Sequence, residues 1–300
     1  MQRLFGAFIL VIATIACPLV AAEATTRPSG PVTYRHEVRQ NPPLHLHIVT
    51  VDLTDPAVRI KVCRGSGDAK LPRGWETSLA TVSDMTKRDG LSVAVNGNFF
   101  MPKDSQWILG RLVPYFDGNL ARVCGWAMND GVAFSATPAD VDWPALVVFG
   151  HRRVAIGQFV RLPPGAQQAV SGQWQIVTDG QNVVPPGNED DRAPRTAVGL
   201  DKDAKTLILL VVDGRRPLYS AGITLHQLGQ EMLGLGAYQA INLDGGGSST
   251  LVLRNAGGQP QVVNWPSDGH DFPMDVSIER CVANALGIVI DAPSTQPAHP

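Results

Sequence analysis

Polar and apolar positions alternate along residues 44–53, LHLHIVTVDL, and this period of two with β-branched residues predicts a strand. His45 and His47 fall on one face of it. With no third ligand nearby, they read as a solvated strand face rather than a metal pair. Over 77–89 the period lengthens: Leu79, Val82 and Met85 stand at helical spacing and Gly90 supplies the stop. Residues 91–95 predict another strand, which runs into Asn96-Gly97-Asn98. From 105 to 190, short apolar runs broken by turns predict an antiparallel meander. Residues 206–212, TLILLVV, form a continuous apolar run of buried-strand length that ends at Asp213-Gly214-Arg215. Thr224 and Gln227 have capping-box spacing, and Leu225, Leu228, Met232 and Leu235 give the following helix its apolar face. A second run, 240–243, then delivers Asp244-Gly245-Gly246-Gly247-Ser248-Ser249. Strand, helix, strand predicts a right-handed βαβ unit around residues 206–243, its two parallel strands ending on one edge of the sheet. The expected fold is therefore α+β or α/β: a mixed β-sheet with antiparallel meander elsewhere, in a single large domain over 34–290.

The ends differ from this core. An apolar run over 4–20 follows Arg3 and gives way to Ala21-Ala22, the pattern of a secretory signal peptide over 1–22. A retained anchor and lipidation at Cys17 are the alternatives. Residues 23–33 are polar and Pro-containing and read as a disordered leader, and 291–300 as a flexible tail. Export to the periplasm, the cell envelope or the medium is thus expected, with no retained membrane span. Cysteine use agrees: once Cys17 leaves, Cys63, Cys124 and Cys281 allow at most one disulfide within the chain. The 300 residues carry 25 Lys+Arg against 27 Asp+Glu, a net charge of −2, so the basic footprint of a nucleic-acid binder is missing.

The candidate chemistry gathers at the two strand ends. Asp213 and Asp244, each closing an apolar run, are the candidate catalytic pair if the strands are neighbours. Their carboxylates would then stand about 5–10 Å apart, as glycoside hydrolysis requires. Gly245-Gly246-Gly247 is entropically costly and reads as a backbone nest for an anion, with Ser248 and Ser249 adding hydroxyls. The segment is no Walker A loop, no dinucleotide fingerprint and no nucleophile elbow, since Thr250 replaces the final Gly of that elbow. Arg195, Arg215 and Arg280 beside these turns offer planar forks for phosphate or carboxylate. No cofactor is required by these residues. A structural divalent cation such as calcium at Asn188-Glu189-Asp190-Asp191 is the weaker reading of a solvated acidic loop, and a metal requirement is left open.

Six segments occur in an order that resembles the phosphodiester glycosidase family: Asn96-Gly97-Asn98-Phe99-Phe100, Pro194-Arg195-Thr196-Ala197-Val198-Gly199, Val212-Asp213-Gly214-Arg215, Ser220-Ala221-Gly222-Ile223-Thr224, the Asn242–Thr250 run and Asn264-Trp265-Pro266-Ser267-Asp268-Gly269. Glu279-Arg280 with 282–286 is similar to that family's closing block. Two positions depart from it: Asn98 stands where the family usually has Gly, and Ala193 where a His often precedes Pro-Arg-Thr. The resemblance implies hydrolysis of a sugar-1-phosphodiester of the N-acetylglucosamine-α-1-phosphate type to free sugar and a phosphomonoester, on exopolysaccharide or cell-envelope glycans. It implies Asp244 and Asp213 as catalytic groups. Asn96, Arg195, Thr196, Arg215, Ser220, Gly245, Gly246, Gly247, Ser248, Ser249, Asp268, Glu279 and Arg280 would bind substrate. A non-catalytic envelope protein that binds phosphorylated polysaccharide is the rival, and a metal-dependent phosphodiesterase ranks third.

Overall fold

The apolar run Thr206–Val212 is a strand whose alternate residues enter two different cores. Leu207, Leu209 and Val211 point into one; Ile208, Leu210 and Val212 point into the other. A computed structural model places this strand and describes residues 25–108, 111–135, 143–150, 152–187, 191–268 and 277–291. The expected signal peptide 1–22 with Cys17, residues 188–190 of the acidic loop, and the tail beyond Asp291 lie outside the described residues.

Thr206–Val212 belongs to an eight-stranded sheet ordered Thr25–Ser29, Val32–Gln40, Pro43–Asp52, Thr206–Val212, Arg195–Leu200, Gln239–Asn242, Trp174–Thr178, Gln181–Asn182. A five-stranded sheet faces it, ordered Pro260–Val262, Leu251–Arg254, Val93–Asn96, Asn284–Ile290, Val58–Arg64. Val49, Val51, Val198, Leu209 and Leu243 of the first meet Val62, Val95, Leu251, Leu286 and Ile288 of the second in the central core. A second five-stranded sheet, built from strands between Ala127 and Ser171, adds Leu146 and Val170 to that core.

Two α-helices occur among the described residues, one on the outer face of each large sheet. Helix α1 (Val82–Asp89) is capped by the Thr81 side chain and stopped by Gly90 in the left-handed region, and it lays Val82 and Met85 against Ala94 and Val252. Helix α2 (Leu225–Gly234) has the expected capping box of Thr224 and Gln227, and lays Leu228 and Met232 on Ala197 and Ala240.

The expected α+β or α/β class and its βαβ unit are overturned. The molecule is mostly β, and every strand ladder among the described residues is antiparallel. Thr206–Val212 and Gln239–Asn242 run the same way but are not neighbours, because Arg195–Leu200 lies between them, antiparallel to both. The misreading has a physical cause. Continuous apolar runs mark strands covered on both faces, which usually means a parallel sheet. Here a facing sheet and helix α2 cover an antiparallel strand just as completely.

Two smaller corrections concern the first strands. The segment expected as a loose leader contains an edge strand, since Thr25–Ser29 pairs with Val32–His36. His45 and His47 do not face solvent: His47 is 2% exposed, and His45 is half-buried against Tyr219 with 3.7 Å between ring centres. Cys63, Cys124 and Cys281 are all free thiols. No helix among the described residues is long and apolar enough to cross a membrane.

Candidate active site

Along one edge of the large sheet Thr206–Val212 and Gln239–Asn242 end while Arg195–Leu200 and Trp174–Thr178 begin, and the residues at these strand ends carry the candidate chemistry. Gln239–Asn242 delivers Asp244, and the chain then tightens into a 3-10 turn over Gly246–Ser248. Asn96, at the end of Val93–Asn96 in the facing sheet, holds this turn from below. Its Nδ2 donates to the Asp244 carbonyl at 2.6 Å, while its Oδ1 accepts from Thr196 Oγ1 at 2.8 Å and the Thr250 amide at 3.2 Å. Asn96 and Thr196 are wholly buried, so both fix the Asp244 backbone rather than line a surface.

The amides of this turn are largely spoken for. Gly245 N–H donates to the Asp244 carboxylate at 2.9 Å and Gly246 N–H to the Pro194 carbonyl at 2.9 Å, while Ser248 and Ser249 close the 3-10 turn. An open nest across 245–249 is therefore not formed. The glycines serve another purpose. Gly246 has φ of +60°, and a Cβ there would stand 2.8 Å from Arg215 Nη2. A Cβ on Gly247 would meet Asp268 Oδ1 at 1.8 Å and Arg280 Nη2 at 2.2 Å. Side chains are absent so that two arginines can lie on bare backbone.

Arg280 is gripped bidentately by Asp268 (2.7 and 2.6 Å), and its guanidinium stacks 3.7 Å above the Tyr115 ring. Arg195 donates to the Ile223 and Asp191 carbonyls at 3.3 and 2.9 Å, and its pKa is lowered by burial, held up by Asp191 and lowered again by Arg215. Arg215, in the left-handed region at φ 62°, is exposed and has no hydrogen-bond or ion-pair partner among the described residues. The pair Arg195 and Arg215 thus presents positive charge over Gly245 and Gly246, one member held and the other free to close on an anion.

Asp244 keeps partial solvent access at the bottom of this group. Burial pushes its pKa up to about 6, against the pull of the Ser248 hydroxyl, Arg280 and the Gly245 amide, and with a further push from Asp268. Near neutral pH it is a carboxylate poised close to protonation, which suits acid–base or charge-stabilising work. Any step that needs the carboxylate will show an ascending limb in kcat/KM near pH 6. Arg280→Met removes a cation that lowers this pKa, so the limb is expected to move above 6. A pH profile whose limb stays put in Arg280→Met would contradict that electrostatic link.

Asp213 is placed quite differently. It is 1% exposed, and both carboxylate oxygens are saturated: Oδ1 accepts from Asn264 Nδ2 and the Trp265 amide at 3.0 Å each, while Oδ2 accepts from Tyr219 Oη at 3.1 Å and faces His47 Nε2 at 3.1 Å. The other His47 nitrogen meets Tyr34 Oη at 2.9 Å, and His36 stacks on His47 with ring centres 4.4 Å apart. Burial, with help from His47 and His45, holds His36 down at about 4, so the His36 ring is neutral at pH 7. The structure does not bring Asp213 beside Asp244. It pins the 264–265 segment, three residues before Asp268.

Other expected site residues are equally structural. Ser220 Oγ donates to the Asp213 carbonyl at 2.6 Å and is wholly buried. The Glu279 carboxylate accepts from the Ser83 amide at 2.8 Å, at the N-terminus of helix α1. Ser249 is 1% exposed, and its hydroxyl is buried without a partner among the described residues. Asn98, the departure from the family pattern, donates to the Cys124 and Trp126 carbonyls (2.8 and 3.0 Å) and exchanges bonds with Asn284. Of the acidic loop only Asp191 is described, and it is exposed. Among the described residues no cluster of three or more His, Cys, Asp or Glu is placed to hold a metal ion. Tyr115 was not foreseen, because an isolated aromatic between two turns carries no spacing signal. Phe99, Trp143 and Trp174 beside the same edge were missed for the same reason.

A family model for phosphodiester glycosidases matches residues 89–289. The chain is 28% identical over 218 residues to the SPbeta prophage-derived protein YomE of Bacillus subtilis, which is 71% of this chain and 30% of that protein. It is 27% identical over 205 residues to N-acetylglucosamine-1-phosphodiester alpha-N-acetylglucosaminidase of Mus musculus, 63% of this chain and 36% of that one. The chain thus spans about a third of the length of these curated relatives. The zebrafish catalytic domain of the latter name, auto-inhibited by its pro-peptide, superposes with a TM-score of 0.62 over 90% of this chain and 87% of its own, at 20% identity. A Synechocystis protein of solved structure gives 0.58 over 90% and 64%, at 14% identity. At such identities the structural likeness is one of fold.

Proposed function

Because the chain belongs to the phosphodiester glycosidase family, we propose that it hydrolyses a sugar-1-phosphodiester at the glycosidic bond, releasing free sugar and a phosphomonoester. One observation carries this reading: a half-buried carboxylate, Asp244, shares a sheet edge with an arginine pair laid over bare glycine backbone. The phosphate would sit against Arg195 and Arg215, with the anomeric carbon towards Asp244. The bond from C1 to the bridging oxygen breaks, and its electron pair leaves with the phosphomonoester. Water supplies the hydroxyl to C1 and gives up one proton. A phosphomonoester is a good leaving group, so protonation of the bridging oxygen is not required. Arg195 and Arg215 stabilise the charge that grows on it, and the Asp244 carboxylate stabilises positive charge at the ring or deprotonates water. Asp268 acts through Arg280, keeping its guanidinium in place over Gly247.

UDP-GlcNAc separates the possible outcomes. Glycosidic cleavage yields free GlcNAc and UDP, with label from 18O water in the sugar hydroxyl. A phosphodiesterase yields GlcNAc-1-phosphate and UMP, and saturable binding without either product would favour a phosphoglycan-binding protein. Either of the last two results overturns the proposal. Arg215→Ala is expected to lower kcat/KM by about tenfold to a hundredfold, the worth of one charge-assisted contact. Its melting temperature should be unchanged, since the side chain has no partner to lose. Equal kcat/KM in the variant would remove Arg215 from the phosphate site. The setting we propose is export, with exopolysaccharide or cell-envelope glycan as the substrate pool, supported by the apolar run over 4–20.

A further inference from the structure

A cleft of about 720 Å³ opens beside the Asp244 edge, lined by Trp75, Glu76, Arg122, Cys124, Phe134 and Trp143. Its volume is in the ~300–1,000 Å³ range of small-molecule sites. Two chains of contacts join it to Asp244. The Asn96–Asn98 segment holds the Asp244 carbonyl with one asparagine and the Cys124 carbonyl with the other, so the cleft wall and the reactive turn hang from the same three residues. Phe99 stands edge-on to both Trp143, at 5.7 Å between ring centres, and Trp174, at 6.4 Å. Trp174 pairs with Asn242, two residues before Asp244. In agreement, Cys124 lies in the field of both the Asp244 and Glu76 carboxylates.

The order of strands gives this arrangement a direction. Across the edge come Arg215, Arg195, Asp244 and Trp174, from the strands Thr206–Val212, Arg195–Leu200, Gln239–Asn242 and Trp174–Thr178. Along this edge Arg195 and Arg215 lie to one side of Asp244 and Trp174 to the other. With the phosphate on the arginines, the half of the substrate that keeps C1 extends towards the aromatic side. The cleft there combines the apolar ring of Trp143 with a carboxylate and a guanidinium. That pairing matches a pyranose, whose C–H face packs on an aromatic ring while its equatorial hydroxyls need donors and acceptors.

We propose that this cleft is a second sugar subsite, which takes the next saccharide unit of the glycosyl half, so that the preferred substrate is an oligo- or polysaccharide phosphodiester rather than a monosaccharide one. The inference rests on the proposed function only for the direction of the chain. The test uses Asp244→Asn protein and a panel of di- and trisaccharides with β1-4, β1-3 and α1-6 linkages, following tryptophan fluorescence and calorimetric heat. At least one member should bind roughly five- to tenfold more tightly than its monosaccharide, the worth of one ring contact. The gain should vanish in the double variants carrying Trp143→Ala or Arg122→Ala. Arg122 is exposed, so the second variant guards against a folding defect in the first. In the active protein the ratio of KM values for monosaccharide and disaccharide phosphodiesters should fall towards one in both single variants. Binding no tighter than the monosaccharide throughout the panel, or a gain untouched by both substitutions, overturns the subsite. Neither result depends on turnover. Failure of the reaction itself would instead show as no free sugar from any phosphodiester.

Discussion

Asp244→Asn is expected to lower kcat by about 10³-fold, the usual worth of a positioned acid–base or charge-stabilising carboxylate. The substitution is nearly isosteric, and the amide oxygen can still accept from Gly245 N–H, so the turn should persist. Stability should not fall and should rise slightly at neutral pH. The reason lies in the sign of the shift: burial raises the Asp244 pKa from 3.8 to about 6. The folded state therefore prefers the protonated form, and the stability this carboxyl contributes below pH 3.8 is lost as pH rises through 6. Removing the charge removes that penalty. Initial rates of free-sugar release, read beside thermal melting, check both halves of the expectation. Turnover within tenfold of wild type, in protein that melts normally, would take Asp244 out of the reaction. KM should change far less than kcat if the carboxylate matters mainly in the transition state.

Asp213→Ala should do the reverse, costing stability first. It strands the Trp265 amide, Asn264 Nδ2, Tyr219 Oη and His47 Nε2 around a buried void. Hydrogen bonds to a charged group are worth about 1.5–3 kcal/mol each, so a loss of about 3 kcal/mol or more is expected. In a domain of this size that lowers Tm by roughly 6–12 °C. Chemical denaturation measures it, and a variant as stable as wild type would show that the network contributes nothing. The same layer makes the protein acid-labile. His36 is depressed from 6.5 to about 4, so its contribution is present above 6.5 and lost as pH falls through 4. Two aspartates with the same following glycine thus separate by phenotype, one in turnover and the other in folding.

That separation marks how far the chain could be read in advance. Three consecutive glycines after an apolar run point to unusual dihedrals or to a closely approached backbone, and the turn after Asp244 has both, in Gly246 at φ +60° and in Gly247 beneath Arg280. The capping box of α2, the strand expected over 44–53 and the helix before Gly90 are local signals and formed, but the helix expected from 77 starts only at Val82, because Thr77–Ser78 pair as a strand with Leu120–Ala121. The pairing of Asp213 with Asp244 failed on a non-local fact. Nothing in RTAVGL announces that residues 195–200 will insert between two strands that follow them in the chain. Turn chemistry at 201–205, where Asp201 caps Lys205 and Thr206, makes the hairpin, but the strand's other partner is chosen by packing alone. His47 was misjudged for the same reason: the neighbours that bury it, Tyr34 and Asp213, lie 13 and 166 residues away.

The edge that carries Arg215, Arg195, Asp244 and Trp174 belongs to one hydrogen-bonded sheet, and its strands stand about 4.8 Å apart. Such an edge is a ruler with fixed graduations. The span from anion to carboxylate to aromatic wall is counted in whole strands, so side-chain substitution can sharpen or blunt a mark but cannot move it. A relative that accepts a longer linkage between sugar and phosphate would have to bend a turn or slip a register, whereas one that accepts a different sugar needs only new rings on the far side.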